Sequence, residues 1–180
     1  TERPTGGDEI SPADYPRLRQ KGLEKELQSM RDFRVYEEHK AFQLPEAISR
    51  SALPTIWVER VKNGQVRMRL VCQGFYQSHL DKDDVYASTP LLPTLEFLLA
   101  HALQRGYSIN FADVSTAFLH ADIDEEIWVV PPKEAYPDGG VLWKLRKAMY
   151  GLRSAPKAWQ DHFAKVMATL GFRRLKKIGR

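Results

Sequence analysis

The sequence predicts an α+β fold with a β-hairpin and packed helices, on three observations. Two β-rich runs in TIWVERVKNGQVRMRLVCQGF meet at Asn63-Gly64, the strongest short-range hairpin signal because both central residues of the tight turn must take positive φ. Three segments repeat apolar residues at helical spacing. Shorter apolar runs between them end at proline or glycine, as strands do.

Residues 1–16 hold Pro4, Gly6, Gly7, Pro12 and Pro16 among polar side chains and are expected to be a flexible lead-in. From about Leu18 to Phe33 the spacing turns helical, with Leu23, Leu27 and Met30 forming one apolar stripe. Residues 34–55, punctuated by Pro45 and Pro54, are expected to be irregular. In the hairpin that follows, Arg67 and Arg69 share parity, so both guanidinium groups leave the same face. That face is either simply solvated or a clamp for phosphates, to which arginine geometry is suited.

Residues 76–89 are polar, and Pro93 then opens a helix with Leu95, Leu98, Leu99, Ala102 and Leu103 at helical spacing and Gly106 as its C′ residue. Tyr107–Val114 is expected to be a strand. It carries Asp113, and a carboxylate at a strand end can hold a metal ion. Asp122 and Asp124 either join Asp113 around a cation, or the acidic cluster Asp122, Asp124, Glu125 and Glu126 is a solvated turn. The run IWVVPP ends at Pro131 and Pro132, which cannot donate to a sheet ladder.

VLWKLRKAMYGLRSAP then starts as a strand and passes through basic residues to Gly151. Ser154 is the expected N-cap of a final helix with Pro156 in its first turn and a buried stripe of Trp159, Phe163, Val166, Met167 and Leu170, stopped by Gly171. Lys144, Arg146, Lys147, Arg153 and Lys157 lie among Trp143, Tyr150 and Trp159. Such interleaving fits either nucleic-acid contact or core aromatics. Residues 173–180 form a basic tail.

A chain of 180 residues can bury one core or two small ones. A formal charge of +4 and a pI of about 9.2 mildly favour a polyanionic partner. The lone Cys72 excludes an internal disulfide and a multi-cysteine zinc site, and is expected to be an inert strand residue in a reducing compartment. The five histidines stand in no zinc, triad or Cys/His arrangement. No apolar run approaches the ~20 residues of a membrane helix, and the start does not resemble a signal peptide. The expectation is a soluble intracellular chain, cytoplasmic or nuclear, with no membrane partner.

Three ordered blocks, VRMRLVCQGFYQ, FADVSTAFLHADIDEEIWVVPP and LWKLRKAMYGLRSAPKAW, resemble the reverse transcriptase of Ty1/copia-type retrotransposons. The likeness covers roughly Leu18 to Phe172. It implies a right-hand polymerase fingers and partial palm over residues 17–172, with residues 56–77 as a fingers hairpin and a partial antiparallel palm sheet carrying Asp113. By the same resemblance, Asp113 binds catalytic Mg²⁺ with help from the backbone carbonyl of Val114. Phe118 is the aromatic gate against a ribose 2′-hydroxyl. Arg67, Arg69, Tyr150 and Gly151 meet the incoming nucleotide, and Lys147, Arg153 and Lys157 the nucleic-acid backbone. The implied partners are RNA template, DNA primer, deoxynucleoside triphosphates and the remainder of a longer polyprotein.

The family's mechanism is two-metal phosphoryl transfer, which needs several carboxylates. Its second acidic motif, an aromatic and a small residue followed by two aspartates, does not occur in the 180 residues: Asp161 is the only acid after Asp138, and the sole Asp-Asp pair is Asp83-Asp84. The expectation is therefore a polymerase fragment inactive by itself. A non-catalytic nucleic-acid-binding remnant, or a decayed element without activity, is the alternative.

Overall fold

The computed structural model describes residues 10–77, 87 and 90–173. The expected lead-in over 1–9, the polar loop over 78–86 with Asp83-Asp84, and the tail over 174–180 lie outside the described residues. In chain order the elements are α1 (Tyr15–Asp32), β1 (Tyr36–Lys40), α2 (Glu46–Ser51), β2 (Thr55–Lys62), β3 (Gln65–Cys72), α3 (Leu92–Gln104), β4 (Trp128–Val129), β5 (Val141–Leu145) and α4 (Ala155–Thr169). Short 3-10 turns lie at Ala41–Gln43, Gly74–Tyr76 and Ala117–His120. Among the described residues the strands make two antiparallel sheets, β1-β5-β4 and the β2-β3 hairpin.

Asn63 and Gly64 both take positive φ, 52° and 66°, so the hairpin turns where the sequence places it. Its register runs from Lys62↔Gln65 at the turn to Thr55↔Cys72. Alternation along β3 buries Val66, Met68, Leu70 and Cys72 and exposes Gln65, Arg67 and Arg69. Counting from the turn, the residues of even number in β3 form non-hydrogen-bonded pairs, so their N–H and C=O groups point away from β2. Helix α1 covers that edge. It packs close because position 22 is glycine: a Cβ there would stand 2.6 Å from the Val66 carbonyl oxygen. The stripe Leu23, Leu27 and Met30 is buried as its spacing requires.

Helix α1 opens at Tyr15, inside the expected lead-in, and ends with Arg34 at φ 52° while the Val35 N–H reaches the Met30 carbonyl at 2.9 Å. This capped turn aims the chain into β1, a strand within the stretch expected to be irregular. Its sequence, Tyr-Glu-Glu-His-Lys, hides it, because an edge strand owes its pairing to β5 backbone rather than to apolar side chains. Strand β5 in turn carries Trp143, which is wholly buried and stacked on Tyr36 at 3.7 Å between ring centroids. One cluster joins Met30, Val35, Leu70, Leu119, Val129, Trp143 and Met149, tying α1, both sheets and the start of α4 together.

Two expectations are corrected, the strand over 107–114 and the buried stripe of α4. Residues 107–114 form no strand and are exposed; a strand needs a neighbour's backbone groups, and no strand among the described residues offers them an edge. Helix α3 forms at the expected place with Gly106 at φ 65°, but Leu95, Leu98 and Leu103 remain exposed. The stripe of α4 is likewise open at Phe163, Val166 and Leu170, with only Ala155 buried. Helical spacing shows which side chains share a face, not what covers them. Ser154 does precede α4, yet its hydroxyl makes no cap. No helix of the described residues is long and apolar enough to cross a membrane.

Ion pairs stitch the three-stranded sheet. Arg146 donates to Glu37 at 2.7 Å, and Glu126 accepts from the Trp128 indole at 2.9 Å beside Lys144. These bonds hold the Glu37 and Glu126 carboxyls below the ordinary glutamate value. Their contribution to stability is therefore complete above the unfolded value of 4.5 and is lost as pH falls through the lower folded values. Urea unfolding between about pH 5 and pH 3 should show a smaller loss of stability for Glu37→Gln than for the wild type.

Candidate nucleotide and nucleic-acid site

The outward face of the hairpin carries more charge than Arg67 and Arg69. The register sets Arg60 opposite Arg67 and Lys62 opposite Gln65, so Arg60 and Lys62 share that face. None of these four cations has a carboxylate partner among the described residues. Like charges directly opposed across strands cost stability, and an anionic partner would offset that cost. Sequence reading missed Arg60 and Lys62, although counting back through the two-residue Asn-Gly turn reaches them.

Arg69 reaches beyond the hairpin. Its guanidinium carbon lies 4.6 Å from the ring centroid of Tyr150, a cation–π distance. The loop that carries Tyr150 is held against β3 by backbone: the Cys72 N–H donates to the Tyr150 carbonyl at 2.7 Å. Gly151 follows at φ 88°, and a Cβ there would collide with the Cys72 carbonyl. A Cβ on Gly74, just past the hairpin, would likewise collide with the Gly151 carbonyl. Cys72 itself is buried, which pushes its thiol up to about 12 and leaves it unreactive.

On its other side the Tyr150 ring meets Phe118 edge-on, with centroids 5.2 Å apart. Phe118 sits on the 3-10 turn and also packs on the main core. Burial raises the Tyr150 phenol above its ordinary value. Arg69 opposes the shift, and the charges of Glu26 and Asp113 add to it. Residues from all three sequence blocks thus converge on one ring.

Asp113 and Val114 are exposed in the irregular stretch before that turn. The acids at 122 and 126 face elsewhere: Asp122 accepts from Lys147 at 3.0 Å, and Glu126 pairs with Lys144. Among the described residues no group of three or more His, Cys, Asp or Glu side chains could hold a metal ion. Mg²⁺ takes six oxygen ligands, one or two of them carboxylate and others from substrate phosphates. Asp113 with the Val114 carbonyl falls short of the pair of metal sites that two-metal transfer requires.

The basic approach to α4 divides. Arg153 clasps Gln77, donating from its backbone N–H to Oε1 at 3.0 Å and from Nη1 to the carbonyl at 2.8 Å. Lys147 bonds Asp122, Lys157 bonds Asp161 at 2.9 Å, and Arg146 bonds Glu37. Of the three aromatics in this segment, Trp143 is core, while Tyr150 and Trp159 are half-buried.

This arginine-bearing hairpin, docked on a Tyr-Gly loop beside an exposed aspartate, falls within a nucleic-acid polymerase class by comparison with known proteins. The model of the family "Reverse transcriptase (RNA-dependent DNA polymerase)" matches residues 36–179, and the chain belongs to that family. Its relatives place it with the copia-type elements. It is 29% identical over 157 residues to the Retrovirus-related Pol polyprotein from transposon TNT 1-94 of Nicotiana tabacum, covering 82% of this chain and 11% of that protein. It is 31% identical over 111 residues to the corresponding polyprotein from transposon RE2 of Arabidopsis thaliana, covering 59% and 8%. The Transposon Ty1-BL Gag-Pol polyprotein of Saccharomyces cerevisiae matches at 26% over 140 residues, 76% and 8%. The chain therefore spans about a tenth of the length of these curated relatives. No solved structure matches it.

The contact between Gly151 and β3 is testable. Gly151→Ala must pay for both positive φ and the collision with Cys72, whereas Gly139→Ala, at φ 67° in open space, pays only for φ. Thermal or urea unfolding should place Gly151→Ala at least about 1–3 kcal/mol below wild type, and clearly below Gly139→Ala.

Proposed function

We propose that this chain is the fingers and partial palm of a retrotransposon RNA-directed DNA polymerase, serving to hold nucleotide and template–primer for nucleotidyl transfer. One observation carries the reading: Arg69, Tyr150 with Gly151, and Phe118, drawn from three separate sequence blocks, meet at one place. Chemically, the exposed face of Arg60, Lys62, Arg67 and Arg69 attracts phosphates. The Tyr150–Gly151 loop gives a flat surface against which base and sugar lie, and Phe118 beneath it limits room at the sugar. Asp113 is one carboxylate of the metal-binding set, with the Val114 carbonyl beside it. Arg153, Lys147 and Lys157 border the strand's path, where phosphate contacts position without reading sequence.

A second reading, a nucleic-acid-binding module without catalysis, is supported by Asp113 standing, among the described residues, in no group of three or more possible metal ligands. The two readings separate in a primer-extension assay on an RNA template with Mg²⁺. No extension is expected from these 180 residues; extension that Asp113→Asn abolishes would show that the polymerase is complete here.

Both readings require polyanion binding. Fluorescence anisotropy with a labelled oligonucleotide should show weak, sequence-independent affinity that falls steeply with salt. Each phosphate contact contributes about −0.7 to the log–log slope for a single strand. Arg67→Ala and Arg69→Ala should each flatten it by about that amount, and Lys157→Ala, whose ammonium is shared with Asp161, by less. Unchanged affinity in all three variants would remove the hairpin face from the site.

A further inference from the structure

Glu26 is a charged residue buried in the interior. It projects from α1 toward β3 and is only 9% exposed, in a helix whose other buried residues are apolar. A carboxylate taken out of water must gain compensating bonds or lose its charge. Glu26 gains one by accepting the backbone N–H of Leu70 at 3.3 Å. That N–H lies on the edge of β3 turned away from β2, two residues before the Cys72 N–H that Tyr150 takes up. Glu26 and Tyr150 thus close successive outward positions on one strand edge, Leu70 and Cys72, and Arg69 immediately precedes the first of them.

The same three groups are joined by charge. Burial pushes the Glu26 carboxyl up, while the Leu70 N–H and the Arg69 cation pull it back. The Tyr150 phenol feels both Arg69 and Glu26. Arg69 therefore has the Tyr150 ring against its guanidinium and a buried acid within electrostatic reach.

We propose that Glu26 is a positioning residue for Arg69: its carboxylate holds the β3 edge in register with the Tyr150 loop and keeps the guanidinium over the Tyr150 ring. The inference deepens the phosphate-binding role of the hairpin and rests on that reading for its functional consequence. It makes α1, which carries no residue of the site itself, a determinant of how the site meets phosphate.

Two substitutions separate positioning from simple charge. Glu26→Gln keeps an oxygen for the Leu70 N–H but removes the charge. By charge alone, losing an acid from a basic protein would tighten polyanion binding. Positioning predicts the reverse, a roughly 3- to 10-fold weaker anisotropy-measured affinity for the oligonucleotide, and no further loss when Glu26→Gln is added to Arg69→Ala. Tighter or unchanged binding by Glu26→Gln overturns the proposal. In the free chain, NMR of the arginine Nε–H groups should show the Arg69 resonance moving in Glu26→Gln while Arg67 stays in place. If both stay in place, the proposal is likewise overturned. Should the wild type bind no oligonucleotide, the hairpin's phosphate-binding role fails, and the Arg69 resonance still decides whether Glu26 positions it. Glu26→Asp, which restores the charge on a shorter arm, should recover part of the wild-type spectrum.

Discussion

An antiparallel pair satisfies only half of the backbone groups of each strand, and this fold depends on how the other half of β3 is covered. Buried N–H and C=O groups left without partners cost as much as a lost hydrogen bond. Here α1 lies along the edge with Gly22 against Val66, Glu26 takes the Leu70 N–H, and Tyr150 takes the Cys72 N–H. The first two covers come from α1 and the third from the Tyr150 loop, more than a hundred residues further along the chain. Once they are in place, the hairpin cannot slip by one residue without turning Val66, Met68, Leu70 and Cys72 to solvent.

The candidate site follows from the same closure. Tyr150 donates no side chain to the core; it is placed by its carbonyl on Cys72, and Gly151 allows the loop to come that near. Its ring is then left between Arg69 and Phe118. Catalytic chemistry asks for more than this, because bringing two cations to the substrate takes several carboxylates, and the acids at 122 and 126 are engaged by Lys147, Lys144 and the Trp128 indole.

Much was legible along the chain because it rests on local rules. Asn63-Gly64 names its turn, parity puts Arg67 and Arg69 on one face, and Leu23, Leu27 and Met30 declare a buried stripe. Strand β1 was not legible, since Glu37, Glu38 and Lys40 look like loop residues until β5 pairs with them. The stripe of α4 failed in the opposite sense. Its spacing is sound, yet Phe163, Val166 and Leu170 remain open to solvent, because amphipathicity describes one surface and burial needs two.

By itself the sequence determined the family, through three ordered blocks, and with it the hairpin, the places of α1, α3 and α4 though not of α2, and the shortage of paired aspartates. These depend on residue identity and short-range spacing, which are complete in one dimension. Only the tertiary structure decided that Lys147 shares its charge with Asp122, that residues 107–114 find no strand partner among the described residues, and that Glu26 is buried against β3 at Leu70. Each of those facts is a relation between residues far apart along the chain, set by which backbone edges and charges the packing brings within a few ångströms of one another.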